Sequence, residues 1–348
     1  MNTLLTILSI WWGASVGLGY NQPYVNQSEF NLHVQDENNQ LVPLFLNSDG
    51  RYRWSDSAFI FSVENGELTT SIPMTEVQAG TTLRDAYMAA QAKYFPATGT
   101  LPDTLFFTMP QYNTWIELMY NQNQADILRY AHAIIDNGFP PGVLMIDDNW
   151  QRYYGNFDFK AERFPDPKAM VDELHALGFK VMLWLCPFVS PDSPEYRDPS
   201  AKGSLLKNPH GGTAILNWWN GYSACYDLTN PDAAAHFVGV LKQVQADYGI
   251  DGYKFDAGDN NCYASTAILA YDKNATTVDH TTSWAKIGLE FPFNEYRACW
   301  KMGGQPLVQR LGDKDYSWDA VQSLIPCMTA AGLLGYAYVC PDMIGGGQ

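Results

Sequence analysis

The sequence is poor in positive charge. Its 348 residues carry 21 Lys and Arg against 37 Asp and Glu, a formal net charge of −16. That balance argues against a nucleic-acid or anionic-membrane partner, because counterion release needs Lys and Arg on the binding face. Metal-ligand patterns are missing too. Six cysteines, at 186, 225, 262, 299, 327 and 340, form no Cys-x-x-Cys pair, and six histidines are scattered singly along the chain. No metal, no cofactor and no Cys/His nucleophile system are therefore expected, and the cysteines read as buried free thiols. The sequence holds no nucleotide fingerprint or phosphate loop, and the glycine-rich MIGGGQ at 343–348 reads as a turn. No apolar run reaches the roughly 18 residues a membrane span needs. Segment 3–19, TLLTILSIWWGASVGLG, lacks the positive flank of a secretion signal, since no Lys or Arg precedes Arg51. It reads as an internal β-strand, which leaves the compartment open between cytoplasmic and secreted or periplasmic.

What the chain does have is core and rings. At 46% hydrophobic and 17% charged, it suits one large α/β barrel or two to three smaller domains. Eleven Trp, 21 Tyr and 17 Phe make up 14% of it, a supply of flat apolar faces that serves either a large core or sugar stacking. Residues 1–80 read as β-rich, with stretches such as LVPLFL and YRWSDSAFIFSV separated by Asn, Asp and Gly turns. From about residue 85, helices alternate with short apolar strands. Helical stretches include LRDAYMAAQAKYF, ADILRYAHAIIDNG and one opening at NPDAAAHF. The clearest is FPDPKAMVDELHALG, with Asp166 as N-cap, Pro167 at N1, Met170, Leu174 and Leu177 on one face and Gly178 beyond the end. The strands between them read as LFFTM, VLMI, KVMLWL, GYKF, LVQRL and YAYVC. Such continuous apolar runs suit a parallel sheet covered on both faces, in a doubly wound or (β/α)8 arrangement.

Acidic residues gather at one end of these strands. Asp147 and Asp148 follow VLMI, Asp256 follows GYKF, Asp313 follows LVQRLG, and Asp342 follows YAYVCP. The carboxyl ends of barrel strands form the active-site face, so carboxylates there are functional candidates. Each alone serves equally well as an N-cap or loop acceptor. Several strand ends carrying Asp, joined by Trp184 and Trp218–Trp219, point to glycoside hydrolysis, which needs two carboxyl groups across the scissile bond.

The runs GVLMIDDNWQRYYGNFDF, RFPDPKAMVDELHALGFKVMLWLCPF, NWWNGYSACYDLTNP, DGYKFDAGD, LGDKDYSW and GLLGYAYVCPDMIGG, in this order, resemble glycoside hydrolase family 31. The resemblance covers about residues 85–348. It implies an α/β fold, a (β/α)8 TIM-type barrel preceded by a β-sandwich, with residues 1–84 as part of that sandwich and 85–348 as the catalytic barrel. It also implies retaining, exo-acting α-glycoside hydrolysis through a covalent glycosyl-Asp intermediate. Asp256 would be the nucleophile and Asp313 the general acid/base, with Asp315 as a rival for the second role. Asp147 and Trp219 would line the sugar subsite, Arg310 would bind sugar, and Lys254 and Asp259 would flank and tune the nucleophile. Asp148 and Trp184 complete the candidate substrate-binding set, although Trp184 fits a barrel core equally well. Retention places the two catalytic carboxyls roughly 5–5.5 Å apart.

Within the family, KFDAGD, CPDMIGG and the short stretch between Arg310 and Trp318 are most similar to a branch containing α-galactosidases. The Asn-Glu type of tail and the longer insertion of glucose-acting members are absent. The expected partner is thus a small-molecule or oligosaccharide α-glycoside, with α-galactosides ranked before α-glucosides or α-xylosides. A non-catalytic carbohydrate-binding relative is the alternative from another class. The strand count stops short of eight, so the barrel is expected to be incomplete at its C-terminal side, as in a fragment of a longer protein. The residues do not fix an oligomeric state.

Overall fold

The computed structural model describes residues 9–34, 39–198, 203–264 and 266–342. The N-terminal strands are β1 (Trp11–Ser15), β2 (Gln27–Asn31), β3 (Gln40–Asn47), β4 (Arg51–Trp54), β5 (Ile60–Glu64), β6 (Glu67–Thr70) and β7 (Thr75–Gln78). β1, β3, β4 and β7 form one antiparallel sheet and β2, β5 and β6 another, with Trp11, Tyr24, Phe30, Phe45, Phe59 and Phe61 clustered as a core. This is part of a β-sandwich. All eight residues of β3 are buried, because its alternating side chains serve two cores. Leu41 and Phe45 join the sandwich core, while Val42, Leu44 and Leu46 join the main one. The strand expected in segment 3–19 is present over β1; residues 1–8 lie outside the described residues.

The second part is built on β8 (Gln111–Asn113), β9 (Val143–Ile146) and β10 (Lys180–Leu185). After a small antiparallel sheet of β11 (Phe188–Val189), β12 (Leu216–Trp218) and β13 (Gly221–Cys225), it continues with β14 (Gly252–Phe255) and β15 (Phe293–Tyr296). β16 (Cys299–Trp300), β17 (Val308–Arg310) and β18 (Val339–Cys340) follow. Seven of these form a parallel sheet in the order β18-β17-β15-β14-β10-β9-β8, a curled part-barrel with helices between strands. β16 leaves the barrel and pairs in parallel with β3, Cys299 opposite Gln40, which joins the two parts. Helix starts follow the expected chemistry. The Asp166 side chain accepts from the Ala169 amide ahead of Pro167–Ala176, and Asn230 caps Pro231–Tyr248, which ends at Gly249 with φ +81.

Two strand assignments change. LFFTM is not a strand: Leu105–Thr108 is a short helix whose Phe106 fills the bottom of the barrel against Val143, Met145, Met182 and Phe293. The ring needs a socket, and the barrel floor supplies one. YAYVC is a strand only over Val339–Cys340. Of the six thiols, four are buried, while Cys327 and Cys340 are half-buried; none is bonded to another.

Register then decides where the chemistry goes. Period-two alternation sends every second side chain into the barrel. Outward residues such as Leu144, Ile146, Val181, Leu183, Tyr253 and Phe255 pack in the core under the helices. Inward residues begin apolar, with Val143, Met145, Met182, Phe293 and Val308 in one cluster. One step toward the carboxyl ends the inward set turns polar, where Trp184, Lys254 and Glu295 stand side by side in register. Asp147, Asp256, Arg297 and Arg310 form the rim above. Gly252 allows β14 to approach β15 at the base, since a Cβ there would sit 2.0 Å from the Phe293 carbonyl oxygen.

Candidate active site

The rim encloses a cleft of about 310 Å³ lined by Trp115, Tyr120, Asp147, Asp148, Trp184, Trp219, Lys254, Asp256, Arg297, Arg310 and Asp313. Eight of the nine site residues named from the sequence line this cleft; the ninth, Asp259, does not, and is held by Arg297 instead. Trp115, Tyr120 and Arg297 are additions. Asp315, the rival to Asp313, does not line the cleft.

Asp256 ends β14 at its carboxyl edge. Trp184 Nε1 donates to its Oδ2 at 2.8 Å and Arg310 Nη2 to its Oδ1 at 3.2 Å. Ala257 follows in a left-handed conformation, φ +57, and its amide donates to Asp256 Oδ1 at 3.0 Å. A non-glycine residue there stores local strain of order 1 kcal/mol. Burial alone would raise the Asp256 pKa. The charges of Arg310, Lys254 and Arg297 and the Trp184 hydrogen bond outweigh it and hold the carboxyl well below the usual range.

Trp184 is 1% exposed, so it is both core and site: its ring fills the barrel while its N–H serves Asp256. Lys254 Nζ lies 2.7 Å from Asp147 Oδ2, with both side chains almost wholly buried. Asn113 Nδ2 donates to the same oxygen at 2.8 Å and the Asp148 amide to Oδ1. Burial pulls the Lys254 pKa down, but the Asp147 charge more than restores it, and the ammonium stays protonated. Asp148 accepts from Tyr154 Oη at 3.0 Å, and burial together with the Asp147 charge pushes its pKa up to about 7.

Arg310 is the hub. Nη1 donates to Asp313 Oδ1 at 2.7 Å and to Asp342 Oδ1 at 3.0 Å, while Nη2 reaches Asp256. Its Nε lies 3.5 Å from Glu295 Oε1, near enough to pair as a charge but without a hydrogen bond. Burial raises Glu295 to about 7 against the pull of Lys254 and Arg310. Asp313 differs from the rest, because its side chain keeps 76% of its surface in solvent. What burial it has would raise its pKa, but Arg310 outweighs this and lowers it, an effect weakened by solvent screening. Arg297 is the second cation on this side. Nε donates to Asp259 at 2.9 Å and the guanidinium lies 4.9 Å above the half-exposed Trp219 ring. Arg310 thus holds Asp313 through Nη1 and Asp256 through Nη2 of the same guanidinium.

Comparison with known proteins now decides the family. The model of the glycosyl hydrolases family 31 TIM-barrel domain matches residues 107–346. The chain belongs to glycosyl hydrolase family 31. Within family 31, it is 30% identical over 263 residues to the myogenesis-regulating glycosidase of Mus musculus, covering 73% of this chain and 36% of that protein. It is 24% identical over 264 residues to the alpha-xylosidase XylQ of Lactiplantibacillus pentosus, covering 71% of this chain and 31% of that one. A family 31 alpha-xylosidase from a soil metagenome, complexed with xylose, shares the fold with a TM-score of 0.76 at 20% identity, over 97% of this chain and 51% of that one. The chain spans about a third of the length of these two sequence relatives. No helix among the described residues is long and apolar enough to cross a membrane.

Proposed function

We propose that this family 31 chain carries the active site of a retaining, exo-acting α-glycoside hydrolase, with Asp256 as nucleophile and Asp313 as general acid/base. The observation that carries the reading is Arg310 gripping both carboxyls from one guanidinium. Asp256, held ionised by Arg310, Lys254 and Trp184, attacks the anomeric carbon as the glycosidic bond breaks. Asp313 gives a proton to the leaving oxygen, for which its carboxyl must leave Arg310 Nη1 and take up a proton. Its exposure on the loop after β17 gives it that freedom. Once the sugar is bound to Asp256, the ionised Asp313 seen beside Arg310 is the form required to take a proton from the attacking water.

The lining has four carboxyls and three cations. With Asp148 near 7 these come close to balance, which suits a neutral sugar. Trp219 offers a stacking face, Asp147 and Asp148 offer acceptors for hydroxyls, and the small volume suits one terminal ring. We rank α-galactosides first on the KFDAGD and CPDMIGG stretches, with α-xylosides and α-glucosides as the second reading, supported by the alpha-xylosidase relatives. Turnover of p-nitrophenyl α-glycosides by Asp256→Ala with and without azide tests the nucleophile. Loss of turnover with rescue by azide is expected, and wild-type-like turnover without azide would rule Asp256 out. The ratio of kcat/KM on the α-galactoside, α-xyloside and α-glucoside ranks the sugars, and faster hydrolysis of either alternative reverses the order.

A further inference from the structure

We propose that Gln40, seconded by Asn39, is a positioning residue for the two arginines of the cleft. The claim rests on the glycosidase reading above. β15 and β17 are in register at Glu295 with Val308 and Tyr296 with Gln309. One residue further along each strand come Arg297 and Arg310, whose guanidinium groups repel one another and have to be set separately against Asp259, Asp256 and Asp313. At this point the chain after Arg297 turns away as β16 to join β3, so the two strands fork.

Gln40 of the sandwich occupies the fork. Its Nε2 donates to the Arg297 carbonyl oxygen at 2.7 Å and to the Arg310 carbonyl oxygen at 2.6 Å. Asn39 Nδ2 donates to the same Arg310 oxygen at 2.9 Å. Both N–H bonds of one primary amide are thereby used, each on the backbone of a cleft arginine, and the width of that amide sets the spacing between the two carbonyls. The clamp is itself fixed from both sides. The Val16 amide donates to the Gln40 carbonyl and the Cys299 amide to the Asn39 carbonyl, each at 3.1 Å. Gln40 is fully buried and Asn39 nearly so, so neither touches substrate; they act through Arg297 and Arg310. Displacing a catalytic neighbour by about 1 Å costs on the order of a hundredfold in rate, which makes the spacing matter to chemistry as well as to folding.

The test is Gln40→Leu in the full chain, similar in size but without the donors, assayed for kcat/KM on an aryl α-glycoside across pH. A fall of about tenfold or more is expected, together with an upward move of the acidic limb of the profile as Arg310 loosens its hold on Asp256. Tyr336→Phe is the control. It removes another bond to the same strand, Tyr336 Oη to the Leu41 carbonyl at 3.1 Å, and is expected to lower thermal stability while leaving the acidic limb in place. Should Gln40→Leu fail to fold, Asn39→Gly tolerates the φ of +50 at this position and removes only one donor, with a smaller shift expected in the same direction. An unmoved acidic limb with kcat/KM within about twofold of wild type in the folded variant overturns the positioning role and leaves the glycosidase reading standing. Absence of turnover in the wild-type chain overturns both.

Discussion

Replacing Lys254 by Met tests the electrostatic design of the cleft. Lys254 Nζ sits 2.7 Å from Asp147 Oδ2, with 6% and 4% of the two side chains exposed. At an effective dielectric constant near 20, such a pair attracts by about 6 kcal/mol, and stripping water from both groups offsets most of that. The intact pair therefore contributes little net stability. Removing one partner is another matter, because Asp147 is left buried beside Glu295, Asp148 and Asp256; the expected loss is about 3–5 kcal/mol.

The loss should also depend on pH. Lys254 is the leading charge that pulls Glu295 down toward about 7 against burial. Without it, the Glu295 pKa climbs further above its unfolded value. The folded variant then holds a proton around pH 7–8 that the unfolded chain has released, so its stability falls as pH rises, by up to about 1.4 kcal/mol per pH unit. Urea unfolding of wild type and variant at about pH 6.5 and about pH 8.5 measures this. A loss larger at the higher pH by about 1 kcal/mol or more is expected. A loss of the same size at both pH values, or one under about 1 kcal/mol, refutes the reasoning.

Trp184→Phe keeps the ring in the barrel and removes the N–H that serves Asp256. A hydrogen bond to a charged group contributes about 1.5–3 kcal/mol, so kcat/KM should fall about tenfold to a hundredfold, with the acidic limb of its pH profile moved upward. Trp219→Ala removes a half-exposed ring beside Arg297 and should weaken apparent substrate binding in steady-state kinetics while changing unfolding stability by less than about 0.5 kcal/mol. In the wild type, Glu295 and Asp148 have pKa values raised to about 7 by burial. They bind protons in the folded state that the unfolded chain has lost. Their contribution to stability therefore declines as pH rises from about 4.5 to about 7 and levels off above, which unfolding at stepped pH will show. Gly252→Ala should lower stability by more than about 2 kcal/mol in urea unfolding, because the new methyl group meets the backbone of β15.

Much of this site was legible because barrel chemistry leaves a simple trace in sequence. An apolar run followed at once by Asp marked Asp147, Asp148 and Asp256, and their strands place them on one rim. Arg297 was missed because its strand was missed. β15 reads Phe-Asn-Glu-Tyr, whose two central polar residues break the apolar run that identified its neighbours. Both have reasons to be there. The Asn294 side chain accepts from the Val308 amide and donates to the Phe291 carbonyl, and Glu295 belongs to the charged layer beneath the cleft. β8, with Gln-Tyr-Asn, escaped for the same reason. LFFTM failed the other way, since three large apolar residues look alike whether they cross a sheet or cap a barrel floor. Trp115 and Tyr120 lie in two single-turn helices, Trp115–Leu118 and Met119–Asn121, too short to leave a periodic signal, and only tertiary folding brings them to the cleft.

The most direct test of the account is to trap the intermediate. A 5-fluoro-α-glycosyl fluoride slows release of the sugar from its nucleophile, so a covalent adduct accumulates on the residue that attacks. Trypsin frees Asp256 within peptide 255–273, and mass spectrometry with fragmentation locates the added sugar. The account predicts one sugar per chain, attached to the Asp256 carboxyl. Turnover of the same reagent with the adduct on any other residue, or with a product of inverted anomeric configuration, would contradict it.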